Sequence, residues 1–119
     1  MTRAWAWLVV LVSCSPSSAA PASSDAGASS CPDAPSSCPS PAPAYAGDVD
    51  ALFAARCATC HAPGGEEAQT PLTTYAEIFP RRSKVLTQVA SCAMPKDGHP
   101  MPDAERVRML GWLVCGAPP

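Results

Sequence analysis

Residues 15–47 contain almost nothing from which a folded core could be built. Ser, Ala, Pro, Gly and Asp make up nearly all of this stretch, and Tyr45 is its only large side chain. Such a composition buries too little apolar surface to offset the conformational entropy that is lost on folding. The sequence therefore predicts a disordered tether over residues 14–47 and one small domain over residues 48–119, too short for a large enzyme with a substrate domain of its own.

The N-terminus has the layout of an export signal. One arginine precedes an apolar run over residues 4–12, which is shorter than the roughly 20 residues that cross a bilayer. The run ends in Leu-Val-Ser-Cys14, which resembles the lipobox of bacterial lipoproteins, where a lipid is attached to the cysteine. We expect residues 1–13 to be the signal peptide and Cys14 the lipidated first mature residue. Ordinary signal cleavage after Ala20 is the alternative, although Pro21 would follow that cut.

Charge and cysteine content restrict the partners and the compartment. The chain has 8 Lys and Arg against 10 Asp and Glu, so no basic surface for nucleic acid or for a polybasic membrane contact is expected. Seven cysteines in so short a chain are typical of oxidising compartments. We therefore expect an exported protein on the periplasmic or cell-surface face of a bacterial membrane, anchored there by its lipid.

The most specific motif of the chain combines two cysteines with a histidine. An amphipathic helix predicted over residues 48–56 leads directly into Cys-Ala-Thr-Cys-His at residues 57–61. This is the attachment motif for c-type haem, in which two thiols bond the vinyl groups of one porphyrin and the adjacent imidazole ligates the iron. Cys57, Cys60 and His61 are therefore the predicted haem-binding residues.

Two other chemistries could use the same three side chains. Cys57 and Cys60 could form a redox dithiol, but that motif opens a helix after a strand, and no such pattern surrounds it here. A zinc ion held by both cysteines and His61 would need a fourth ligand, and neighbouring Cys and His side chains would have to share one small ion. Haem attachment is the favoured interpretation.

From Val49 to its end the chain resembles a small mono-haem cytochrome c domain of class I. The resemblance depends on residues 49–53 before the haem motif, on Met94-Pro95, and on a closing helix that ends near Gly116. It implies an all-α fold of about three to five short helices around one covalent haem c, with the first and last helices crossing near the haem edge. It also implies one-electron transfer, and no catalytic residues.

The resemblance further implies a sixth iron ligand in a Met-Pro segment before the last helix. Met94 fits this position and is, with His61, the predicted iron ligand. Met101, His99 and an open site are the alternatives. A thioether ligand raises the reduction potential and closes the iron to small molecules, whereas an open site would bind them. The alternative function is therefore a haem-based sensor or ligand-binding module with a displaceable sixth ligand.

Four cysteines then remain for disulfides. Cys31 and Cys38 would close a short loop within the tether, and Cys92 with Cys115 would join the Met94 segment to the last helix. For both pairs the alternative is free thiols. For Cys31 and Cys38 a further alternative is that the two thiols bind a metal ion. A lipoprotein without haem, whose cysteines are all structural, is the third functional hypothesis.

Local patterns predict the remaining helices and their ends. The spacing of Thr74 and Glu77 is that of a capping box, and a helix is expected over residues 81–90. A last helix should begin around Pro102, with Gly116 as its left-handed cap.

Several polar side chains could approach the haem propionates. The candidates are Tyr75, Arg81, Arg82 and Lys84, although a run of charges is most simply a solvated surface. The protein is expected to be a monomer that exchanges electrons with redox proteins at or near the membrane.

Overall fold

A computed structural model describes residues 31–96 and 99–119 of the chain. The regular elements in these residues are helices and helical turns, and no strand occurs among them, which confirms the predicted all-α class. The helices are α1 (Asp50–Arg56), α2 (Ala58–His61), α3 (Tyr75–Ile78), α4 (Arg82–Ala90) and α5 (Asp103–Val114). The predicted signal peptide over residues 1–13 and the predicted lipidation site Cys14 lie outside the described residues.

Helix α1 starts two residues later than the sequence predicts. The Oδ1 atom of Asp50 accepts hydrogen bonds from the backbone N–H groups of Gly47 (3.2 Å) and Ala51 (2.7 Å). Asp48 instead accepts the N–H of Ala44 at 3.0 Å, within a wide turn that precedes the helix. Asp50, the first residue of α1, therefore stabilises the start of the helix, whereas Asp48 stabilises the turn before it.

A tight turn joins α3 to α4. The predicted capping box is confirmed, because the Thr74 hydroxyl accepts the N–H of Glu77 and the Glu77 carboxylate accepts the N–H of Thr74. Pro80 lies in a single 3-10 turn between the two helices. Val85 and Val89 form the buried face of α4, so this helix packs against the core as its sequence pattern predicts.

Helix α5 begins immediately after Pro102 and ends with Gly116 in the left-handed conformation (φ 87°), as predicted. The N–H of Gly116 donates to the carbonyl of Leu113, and the N–H of Ala117 donates to that of Trp112, both at 3.0 Å. These two bonds form a Schellman motif, which satisfies the last carbonyls of the helix. The C-terminal residues are thereby turned back onto the core, where Ala117 is fully buried.

An aromatic cluster connects the first helix to the last. Phe53 of α1 meets Trp112 of α5 edge to face, with 5.8 Å between ring centroids. Tyr45 lies 5.8 Å from Trp112 and 5.2 Å from Tyr75. The indole N–H of Trp112 donates to the carbonyl of Pro118 at 2.7 Å, so this buried polar group is satisfied. The expected contact between the first and last helices is therefore present.

Both predicted disulfide pairings are wrong. Cys31 is bonded to Cys92, and Cys38 is bonded to Cys115. Each bond joins residues 31–47, hereafter the strap, to the helical part of the chain. The sequence predicts a bond between Cys31 and Cys38 because they are close in the chain, but the strap instead lies along the helices, which brings each of its cysteines to a distant partner.

Close packing of the strap on α5 depends on a glycine. A Cβ atom at Gly111 would lie 3.2 Å from the ring of Pro39 and 3.7 Å from that of Pro43. The bare backbone at this position lets both prolines approach the helix. The part of the predicted tether that begins at Cys31 is therefore fastened to the domain.

None of the helices in the described part of the chain reaches the length and hydrophobicity that a membrane-spanning helix needs.

Candidate functional site

A cavity of about 350 Å³ brings the predicted site residues together. Its lining includes Cys57, Cys60 and His61, and also Met94 and Met101 from the segment between α4 and α5. The volume lies within the range of small-molecule and cofactor sites. The fold thus places two thiols, one imidazole and two thioethers, from distant parts of the sequence, around one space.

Helical geometry orients the three residues of the motif. The N–H of Cys57 donates to the carbonyl of Phe53, and the N–H of His61 donates to that of Cys57, both at 2.9 Å. The motif is therefore a helical turn that continues α1. Residues three and four positions apart share one face of a helix, so Cys57, Cys60 and His61 all line the cavity.

The loop over residues 62–72 folds back on this turn. The N–H of Glu67 donates to the carbonyl of Cys60 at 2.9 Å, and the N–H of Leu72 donates to that of His61 at 3.0 Å. A Cβ atom at Gly65 would overlap the Cys60 carbonyl group, so only glycine permits this approach. The loop therefore fixes the position of the motif, and three of its residues, Glu67, Thr70 and Leu72, also line the cavity.

The imidazole of His61 has one nitrogen engaged by the protein. Its Nδ1 atom lies 2.8 Å from the backbone carbonyl oxygen of Thr70. A carbonyl only accepts hydrogen bonds, so this contact assigns the proton to Nδ1 and leaves the lone pair of Nε2 available. An Nδ1–H bond to a backbone carbonyl is the usual way in which a metal-binding histidine is oriented.

The two cysteines of the motif differ from the others. Of the six cysteines in the described residues, four are in disulfides, whereas Cys57 and Cys60 are not. Burial, and then the neighbouring Cys60, raise the pKa of the Cys57 thiol to about 11. A reactive dithiol needs a lowered thiol pKa. The environment of Cys57 therefore disfavours the redox-dithiol hypothesis.

The zinc hypothesis finds no support in the geometry. Within residues 31–96 and 99–119, no three Cys, His, Asp or Glu side chains are grouped so that they could hold one metal ion. A structural zinc site needs four such ligands in tetrahedral geometry.

The three candidate sixth ligands all line the cavity. Met94 is half-buried, Met101 is buried in the hydrophobic core, and His99 is exposed. The main chain of Met94 is held from two sides: its N–H donates to the carbonyl of Gln88 at 3.1 Å, and its carbonyl accepts from Arg106 at 2.9 Å.

The contact made by Arg106 was not predicted from the sequence. The side chain is only 6% exposed, although it is charged. It lies three, four and seven positions before Met109, Leu110 and Leu113, which are core residues of α5. A charged residue on the apolar face of a predicted helix is the pattern that could have identified it.

The basic residues near the cavity have different environments. Arg81 and Lys84 line it, whereas Arg82 lies over the Phe79 ring at 4.2 Å from the centroid. The Tyr75 hydroxyl donates to the carbonyl of Ala117 at 2.9 Å and is thus engaged in the core. Of the candidates for a propionate contact, Arg81 and Lys84 therefore face the space where a ligand would lie.

An ion pair engages one residue of the cavity lining. The guanidinium of Arg56, which lines the cavity, donates to both carboxylate oxygens of Glu105, at 2.6 Å from Nε and 2.9 Å from Nη2. This two-point contact joins the end of α1 to the start of α5.

No protein-family model, curated protein or solved structure matches the chain.

Proposed function

We propose that this chain is a lipid-anchored c-type cytochrome that transfers single electrons through one covalently attached haem. One observation supports this most strongly. Cys57 and Cys60 are outside the disulfides that use the other four described cysteines, and they line one cavity with His61 and Met94.

The donor groups fit this cofactor. Cys57 and Cys60 would form the two thioether bonds, His61 would bind the iron through Nε2, and Met94 would be the sixth ligand. Haem, when bound, supplies an iron that alternates between the ferrous and ferric states. The carbonyl of Thr70 holds the His61 ring in one orientation and would do so in both states.

Other residues of the chain would control the surroundings of the cofactor. Leu72, Val85 and Val89 are buried side chains of the cavity lining, and they would exclude water from one part of it. Arg81 and Lys84 would offset the negative charge of the propionates. A site with little reorganisation between redox states and few water molecules suits electron transfer.

The disulfides and the N-terminal part of the sequence support an extracytoplasmic, membrane-anchored setting. Two disulfides are consistent with an oxidising, extracytoplasmic compartment. Lipidation at Cys14 would hold the protein at the membrane, and residues 15–30 would serve as the tether. Redox proteins at or near the same membrane would be its partners, because tethering raises their effective concentration.

The test is production of the full chain in a bacterial host that exports proteins and attaches c-type haem. The pyridine haemochrome spectrum and a haem stain of the denatured protein should show one covalent haem per chain. The double variant Cys57→Ala/Cys60→Ala should lose it. The matched control Cys38→Ser/Cys115→Ser removes two cysteines that are in a disulfide and should keep the haem.

Two experimental outcomes would contradict the proposed electron-transfer function. A wild-type chain that folds without haem would refute the proposal and leave a lipoprotein with structural cysteines. Covalent haem that binds carbon monoxide in the reduced form would favour the sensor, because a firm Met94 ligand closes that position.

A further inference from the structure

Arg106 is a buried cation with neutral partners. In the described residues it is the one charged side chain that is buried, at 6% exposure. Its Nη1 atom donates to the carbonyl of Val89 at 2.7 Å and to that of Met94 at 2.9 Å. Burial of a guanidinium without a carboxylate is costly, so these hydrogen bonds must offset a large desolvation penalty.

The two carbonyls belong to different parts of the chain. Val89 lies in the last turn of α4, where a cation is favoured by the helix dipole. Met94 lies beyond the helix, and its N–H returns to the carbonyl of Gln88 at 3.1 Å. One side chain of α5 thus joins the end of α4 to the segment that contains the proposed sixth ligand.

Capping of α4 alone would not need such a residue, because water or an exposed side chain can satisfy the last carbonyls of a helix. Contact with Met94 as well requires a long side chain that reaches through the core and donates twice from one nitrogen, as Nη1 of Arg106 does. We infer that Arg106 is a positioning residue that fixes the main chain of Met94 so that its thioether stays directed at the iron. This inference depends on the proposed function.

A buried positive charge beside the site has an electrostatic effect in addition. Such a charge disfavours the more positive oxidised state of a nearby iron and so raises the reduction potential. Lysine keeps this charge and can also donate twice from one nitrogen, but its shorter side chain has no guanidinium plane to hold that nitrogen between the two carbonyls. The conservative variant therefore separates the effect of charge from the effect of position.

Three variants of the full, haem-loaded chain test the inference: Arg106→Gln, Arg106→Lys and the control Arg108→Gln, an exposed arginine on the same helix. The first readout is the far-red absorption band that marks a Met ligand on oxidised haem. It is measured during heating together with the circular dichroism of the helices. The second is hydrogen exchange at the Met94 amide. The third is the reduction potential.

In Arg106→Gln, the band should disappear at a lower temperature than the helices unfold, and the Met94 amide should exchange at least about tenfold faster. The reduction potential of this variant should fall. Arg106→Lys should show a smaller separation of the two transitions with a potential near that of the wild type, and Arg108→Gln should behave like the wild type.

The inference would be overturned if, in both Arg106 variants, the far-red band disappeared at the same temperature at which the helices unfold. A purely structural role of Arg106 would affect the band and the helices equally. If Arg106→Gln does not fold, the same comparison in Arg106→Lys decides. A wild-type chain without haem would refute the proposed function instead. In that case, hydrogen exchange at the Met94 amide still tests the positioning role. An exchange rate in Arg106→Lys equal to that of the wild type would refute it.

Discussion

Cys31 is bonded to Cys92, two residues before Met94. The strap is therefore attached next to the segment that contains the proposed sixth ligand. The second bond, from Cys38 to Cys115, attaches it to the end of α5. Because Tyr45 then enters the aromatic core, the strap is a structural part of the domain.

Peptide mapping without reduction should recover Cys31 linked to Cys92 and Cys38 linked to Cys115. The measurement is mass spectrometry of a digest prepared at acidic pH, where thiolates are scarce and disulfides do not exchange. The wild-type chain digested after reduction is the control. A peptide that contains Cys31 bonded to Cys38 would contradict the arrangement described here.

Removal of either disulfide should lower the free energy of unfolding substantially. The bonded residues are 61 and 77 positions apart, and loops of this length correspond to about 4 kcal/mol each in the chain-entropy model. Denaturant unfolding of Cys31→Ser/Cys92→Ser and of Cys38→Ser/Cys115→Ser measures the two losses.

The two double variants should differ at Met94. Only the loss of the Cys31–Cys92 bond frees the chain next to this residue, so only that variant should accelerate hydrogen exchange of the Met94 amide. Equal acceleration in both variants would show that the effect is global and has nothing to do with the position of the bond.

Local patterns predicted the helices better than they predicted the cysteine pairs. The capping box at Thr74 and the glycine cap at Gly116 depend on residues a few positions apart, so the sequence contains the whole interaction. Four cysteines allow three pairings, and the choice among them depends on where the strap lies on the helices. Its path depends in turn on contacts such as that of Pro39 with Gly111, which no local pattern reveals.

The same difference between local patterns and long-range contacts applies to the candidate site. The motif at residues 57–61 is local, and its helical geometry follows from its spacing. Met94 was inferred from a resemblance, and the structure places it at the same cavity. The place of Arg106 on the apolar face of α5 could have marked it as buried, but its partners could not be predicted, because they are backbone carbonyls and have no sequence pattern.

Substitution of Gly65 by alanine should loosen the loop that holds the motif. The added Cβ would overlap the carbonyl of Cys60 and come within 2.9 Å of that of Thr59. Backbone atoms cannot move aside as the end of a side chain can, so we expect a loss of about 3 kcal/mol in unfolding free energy. The amide of Glu67, which donates to Cys60, should exchange faster.

Gly64→Ala is the matched control. Gly64 has a positive φ of 89°, but a Cβ atom there would meet nothing within 4 Å. The expected cost is about 1 kcal/mol from backbone strain alone, with the Glu67 amide still protected. Equal effects of the two substitutions on Glu67 would mean that the close contact with Cys60 is unimportant.

Acidification should weaken the fold partly through Glu77. Hydrogen bonds from the hydroxyl and N–H of Thr73, and from Thr74, hold the pKa of this carboxyl below its usual value. A lowered pKa in the folded state adds stability above the unfolded pKa of about 4.3, and this contribution is lost as the pH falls through the folded pKa. Glu77→Gln should therefore be less stable than the wild type near neutral pH, and the difference should shrink in acid. Denaturant unfolding across this pH range measures it, with the exposed Glu66→Gln as the control for loss of one negative charge. A difference that stays constant with pH would show that the bonds from Thr73 and Thr74 do not favour the ionised carboxylate.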